Sequence, residues 1–128
     1  MKIELASVFV DDTSKALKFY TEVLGFVKKV HMPEINWITV VSQEEPEGTQ
    51  LLLEPNDNPA ALTYQKAISA QGIPATSFAV ENVEKEYERL TQLGVDFTMK
   101  PSKTVGAIIA VFNDTCGNLI QIHQTTDI

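Results

Sequence analysis

One pattern occurs twice in this sequence, and it restricts the fold more than any composition does. Val10-Asp11-Asp12 returns as Val80-Glu81-Asn82, 70 residues on; Gly25 returns as Gly94, 69 on; the strand end at Glu54 returns at Gln121, 67 on. Three landmarks in one order at nearly one offset indicate two copies of a βαβββ module. A sheet with a helix on one face leaves its other face bare. Two copies, within the chain or across a dimer, are therefore expected to curl into an incomplete barrel, with a concave groove inside and the helices outside. The expected fold class is α+β, two tandem βαβββ modules forming a curled mixed sheet.

The elements follow from period and punctuation. Ile3 to Val10 is apolar and β-branched at strand length, and Asp11-Asp12-Thr13-Ser14 supplies helix caps. Ala16, Phe19, Tyr20, Val23 and Leu24 then form one helical stripe that ends at Gly25. Strands are expected at Phe26 to Met32, Trp37 to Ser42 and Thr49 to Glu54. The proline-rich Pro55 to Pro59 and a short helix through Tyr64 and Ile68, stopping at Gly72, read as a linker. The second copy runs from a strand at Ala75 to Val80, through a helix with Val83, Tyr87 and Leu90 inward, to strands at Val95 to Lys100, Ala107 to Phe112 and Asn118 to His123. This predicts one domain over residues 1–128, with modules at 1–54 and 75–128 and the linker at 55–74.

A chain of 128 residues with 44% hydrophobic residues can bury a core without disulfides or structural metal. Cys116 is alone, which excludes an intrachain bridge, and its place in a hairpin turn predicts an unreactive thiol. The longest apolar runs, such as Ala107 to Phe112, fall far short of the roughly 20 residues that span a bilayer. The N-terminal segment runs into acidic residues without an apolar h-region, so a cytoplasmic location and no membrane partner are expected. A net charge of −7 and a pI near 4.7 argue against nucleic acid and mildly favour a neutral or cationic ligand.

The segments VFVDDTSKALKFYTEVLGF, FAVENVEKEYERLTQLGV and FNDTCGNLIQIHQ, in that order and with this duplication, resemble the vicinal oxygen chelate superfamily. That superfamily includes glyoxalases, bleomycin-resistance proteins, fosfomycin-resistance enzymes and extradiol dioxygenases. The resemblance covers nearly the whole chain and implies a homodimer. It also implies, for metal-dependent members, four ligand positions, which here carry Leu5, Glu54, Ala75 and Gln121. Leu5 and Ala75 have no donor atom, and Gln121 offers only a neutral amide oxygen.

Strand parity sketches the groove lining. Leu5, Ser7 and Phe9 share one side of the first strand; Ala75, Ser77 and Ala79 share the equivalent side in the second module. Trp37, Gln50, Glu54, Gln121 and His123 are polar or aromatic additions. Such a lining suits a planar, neutral-to-cationic organic molecule without a catalytic metal. Glu54 is the candidate general base should the chain prove to be an enzyme. The alternative is a glyoxalase-like lyase or isomerase, or a dioxygenase, that holds one divalent metal ion at a displaced site of Glu54, Gln121 and His123, the last two sharing a strand face. His31, beside Pro33, reads as a solvated side chain.

Overall fold

Asp12 and Asn82, 70 residues apart, start their helices in the same way. Each holds an extended backbone (φ −148°), and each side-chain oxygen accepts, at 3.0 Å, the N–H three residues on, of Lys15 and Lys85. In the computed structural model, which describes residues 1–127, these caps join β1 (Leu5–Val10) to α1 (Thr13–Lys18) and β5 (Thr76–Ala79) to α3 (Val83–Gln92). The first compact unit, residues 1–65, continues with β2 (Val27–Met32), a 3₁₀ turn at Pro33–Ile35, β3 (Trp37–Val41), β4 (Gln50–Pro55) and the start of α2 (Pro59–Ala70). The second, from Lys66 on, continues with β6 (Phe97–Thr104), β7 (Ala107–Asn113) and β8 (Leu119–Thr125). The sheets have the orders β1-β4-β3-β2 and β5-β8-β7-β6. In each, the first strand pairs parallel with the fourth and the other pairings are antiparallel. The repeat in the sequence is thus a repeat of topology, and the α+β class of tandem βαβββ modules follows.

The drop in repeat offset from 70 to 69 has a local cause. After α3 the chain ends its helix in a Schellman pattern, with Val95 N–H on Leu90 O and Gly94 N–H on Thr91 O, both at 3.0 Å. Gly94 has φ +87°, a left-handed conformation that glycine adopts without a Cβ clash. The first copy has one more residue between cap and glycine, and its helix widens to hold it. Phe19–Val23 is a π-turn, in which Leu24 N–H reaches Phe19 O at 3.1 Å and Phe26 N–H reaches Tyr20 O at 3.0 Å. The Thr21 hydroxyl donates to Leu17 O at 2.7 Å, back-bonding that loosens the regular ladder at that point.

Alternation along the strands assigns two faces to each sheet. Toward α1 lie Val8, Val10, Ile38, Val40 and Leu53, buried together with Ala16 and Tyr20. Tyr20 stacks on Phe26 with ring centroids 6.4 Å apart. The equivalent core of the second unit contains Val83, Leu90, Ala110, Phe112, Ile120 and Ile122, extended by Tyr87 edge-on to Phe97 at 4.7 Å. The β6 strand runs four residues beyond the expected Lys100, past Pro101. A proline is tolerated there because β6 is an edge strand and its register shifts between Met99 and Ser102.

The loop between β7 and β8 is built around a buried carboxylate. Asp114 Oδ1 accepts the N–H of Cys116 (2.7 Å) and of Asn118 (3.0 Å), and its Oδ2 accepts from Asn118 Nδ2 at 2.8 Å. Cys116 is fully buried by the same loop. These bonds pin the hairpin that sets the register of β8, and hence the positions of Gln121 and His123.

Candidate functional site

In the first unit, β1 and β4 run parallel and finish side by side, with Phe9 opposite Glu54. Residues directly opposite in a ladder share a face, so the Phe9 ring and the Glu54 carboxylate project on the same side, away from α1. The chain then leaves through Pro55 and turns back into α2, which Asn58 caps by accepting the Ala60 N–H at 2.9 Å, with Pro59 in the first helical position. Gln65 fastens this helix to the sheet edge: its Nε2 donates to Phe9 O at 2.9 Å and its Oε1 accepts from Asn56 Nδ2 at 2.7 Å. Between helix and strand ends lies a pocket of about 500 Å³, lined by Phe9, Glu54, Pro55, Asn58, Ala60, Ala61 and Tyr64. Glu54 is half-buried and, among the described residues, has no hydrogen-bond or ion-pair partner. No lining residue is Lys, Arg or His.

In the second unit, Ser77, Gln121 and His123 come together on one face of β5 and β8. Gln121 Nε2 donates to Ser77 Oγ at 3.0 Å, and Ser77 Oγ lies 2.7 Å from His123 Nδ1. The pairing register, Ser77 opposite Gln121 and Ala79 opposite His123, places all three side chains on that face. A metal ion at the positions the family uses does not fit these residues. Leu5 and Ala75 have no donor, the Gln121 amide nitrogen and His123 Nδ1 are committed to Ser77, and among the described residues no three His, Cys, Asp or Glu side chains gather to hold an ion.

The remaining candidates fall as follows. Leu5 and Ser7 are exposed on the same sheet face as Phe9, and Ala75 is exposed just before β5. Gln50 is turned inward, its Oε1 accepting from Thr39 Oγ1 at 2.7 Å, while the same Thr39 oxygen accepts the Val30 N–H at 3.2 Å where β2 bulges. Trp37 opens β3 opposite Met32 and is not part of the pocket lining. His31 is exposed. Sequence reasoning missed Asn58, Ala60, Ala61 and Tyr64, because residues 55–74 read as a linker. The signal was present in Asn58-Pro59, a cap followed by an N1 proline, which starts a helix only three residues after the end of β4.

Comparison with known proteins agrees with this architecture. The chain belongs to the Glyoxalase/Bleomycin resistance protein/Dioxygenase superfamily, whose model matches residues 2–122. It is 56% identical over 126 residues to the uncharacterized protein YurT of Bacillus subtilis (strain 168), covering 97% of this chain and 99% of YurT. Among solved structures it is similar to UcmS2 (TM-score 0.81, 30% identity, 98% of each chain). It is also similar to TnmS3, an antibiotic binding protein from Streptomyces sp. CB03234 (TM-score 0.78, 26% identity, 98% of this chain and 97% of that one).

Proposed function

We propose that this chain binds a small organic molecule, without a catalytic metal, and seats a cationic group of that ligand against Glu54 in the first unit's pocket. The observation that carries the reading is the half-buried Glu54 carboxylate with no protein partner among the described residues. A carboxylate partly withdrawn from water gains from a charge-assisted hydrogen bond when a ligand ammonium or guanidinium arrives. Phe9 and Tyr64 add ring surface, on which a cation gains roughly 0.5–2 kcal/mol. An anion meets no positive side chain in this lining. The likeness to TnmS3, described as antibiotic binding, supports a small organic ligand.

Calorimetric titration against cationic glycopeptides, neutral aromatics and anionic phosphonates tests the reading. Binding is expected among the cationic members and should weaken about tenfold or more in Glu54→Gln, the range of a hydrogen bond to a charged group. Binding confined to the phosphonates would contradict it.

A homodimer accompanies this function in our reading. The edge strands β1, β2, β5 and β6 offer unpaired backbone groups to a second copy. Sedimentation equilibrium at micromolar concentration should give about twice 14.2 kDa. A mass that stays at the monomer value as concentration rises excludes the dimer.

A further inference from the structure

We propose that Gln121, Ser77 and His123 form a one-way hydrogen-bond relay that fixes His123 as an Nε2–H donor, and that this donor recognises a carbonyl oxygen on a small organic ligand. Ser77 Oγ stands at the centre of the relay. This oxygen accepts from Gln121 Nε2 at 3.0 Å and lies 2.7 Å from His123 Nδ1; in the proposed relay the Ser77 proton occupies that second contact and Nδ1 accepts it. A neutral imidazole that accepts at Nδ1 carries its proton on Nε2. Nε2 in turn has no protein partner among the described residues. The relay therefore ends in a solvent-reached donor on a half-buried residue, with no protein acceptor among the described residues.

The surroundings favour an uncharged acceptor. His123 stands opposite Ala79 on one side and Ile109 on the other, so the imidazole is flanked by a methyl group and an aliphatic chain on the same face. Ala79 is exposed, which leaves room above the ring. Within an acidic chain of net charge −7, a neutral ketone or amide meets less repulsion than a carboxylate. The same geometry argues against Ser77 as a nucleophile. A serine nucleophile works with a base that is itself oriented by a third group, and among the described residues no carboxylate orients the His123 imidazole in that way.

This inference concerns the second unit and is independent of the Glu54 reading. The test has two parts on the full chain. Two- and three-bond ¹H–¹⁵N correlations on labelled protein should show His123 with Nδ1 bare and Nε2 protonated, and Ser77→Ala should abolish that preference. Ligand-observed titration with acetophenone and its isostere α-methylstyrene, and with benzamide and its hydrocarbon counterpart, should show the carbonyl member binding about three- to tenfold tighter. That ratio should fall to about one in Ser77→Ala and His123→Phe. An Nδ1–H tautomer in the free protein, a ratio near one in the wild type, or a ratio unchanged by both relay substitutions overturns the proposal.

Discussion

Thr115 holds a backbone conformation that its β-branched side chain disfavours. Its φ is +64°, in the left-handed region that a β-branched side chain resists, and its N–H donates to Asn113 Oδ1 at 2.7 Å. The surrounding loop imposes this, since the Asp114 carboxylate gathers the N–H groups of Cys116 and Asn118. Thr115 is exposed, so Thr115→Gly removes the strain without removing packing. The glycine variant is expected to gain about 1 kcal/mol, read as a higher urea midpoint with an unchanged slope. A lower midpoint would mean that the Thr115 conformation carries no strain. The sequence located this turn through Asn113, Asp114 and Gly117, yet the burial of Asp114 was hidden, because an acidic turn residue ordinarily faces water. At Glu54 the residue type and its strand position were legible, while the lack of a partner among the described residues appears only in three dimensions.

Among the elements, α2 separates what the sequence shows from what it conceals. Its existence was legible from Tyr64, Ile68 and the stop at Gly72, but its part in the pocket was not. Gln65 is the reason: a glutamine within a helix reads as solvated, whereas here it is 3% exposed and bridges Phe9 O to Asn56. Phe9 lies 56 residues away, beyond any local pattern. Gln65→Ala leaves the Asn56 amide without this partner and strips a hydrogen bond from the β1 edge. A loss of about 1–3 kcal/mol is expected in chemical denaturation. Stability equal to the wild type would show that α2 is held by other contacts. The π-turn in the first helix was visible only as one residue of extra offset, since neither periodicity nor capping distinguishes a helix that widens from one that ends later.

Over the whole molecule, the duplication was the most legible property, because it is written in landmarks that each copy needs for itself: a cap, a helix stop and a strand end. Three features bear on whether the chain depends on a metal. These are the two donorless positions Leu5 and Ala75, the commitment of Gln121 and His123 to Ser77, and the absence of a three-donor cluster among the described residues. A metal bound only by the native state at 100 times its Kd would add roughly 2.7 kcal/mol. For a domain of this size that is a shift in Tm of several degrees. Thermal melts with Zn²⁺, Ni²⁺, Mn²⁺ and Fe²⁺ are expected to superimpose on the metal-free melt. A reproducible rise with one metal, lost in Glu54→Ala or His123→Ala, would restore the metalloenzyme alternative.

The central claim, a ligand cation seated on Glu54, is tested most directly by a binding cycle. A cationic ligand from the calorimetric panel and its neutral isostere, with the ammonium replaced by a methyl group, are each titrated into the wild type and Glu54→Gln. The cycle cancels whatever the substitution does to the pocket itself and leaves the interaction between the two charges. The account predicts that the wild type prefers the cation by about tenfold or more over its isostere, and that Glu54→Gln removes that preference. An equal preference in both proteins would contradict it.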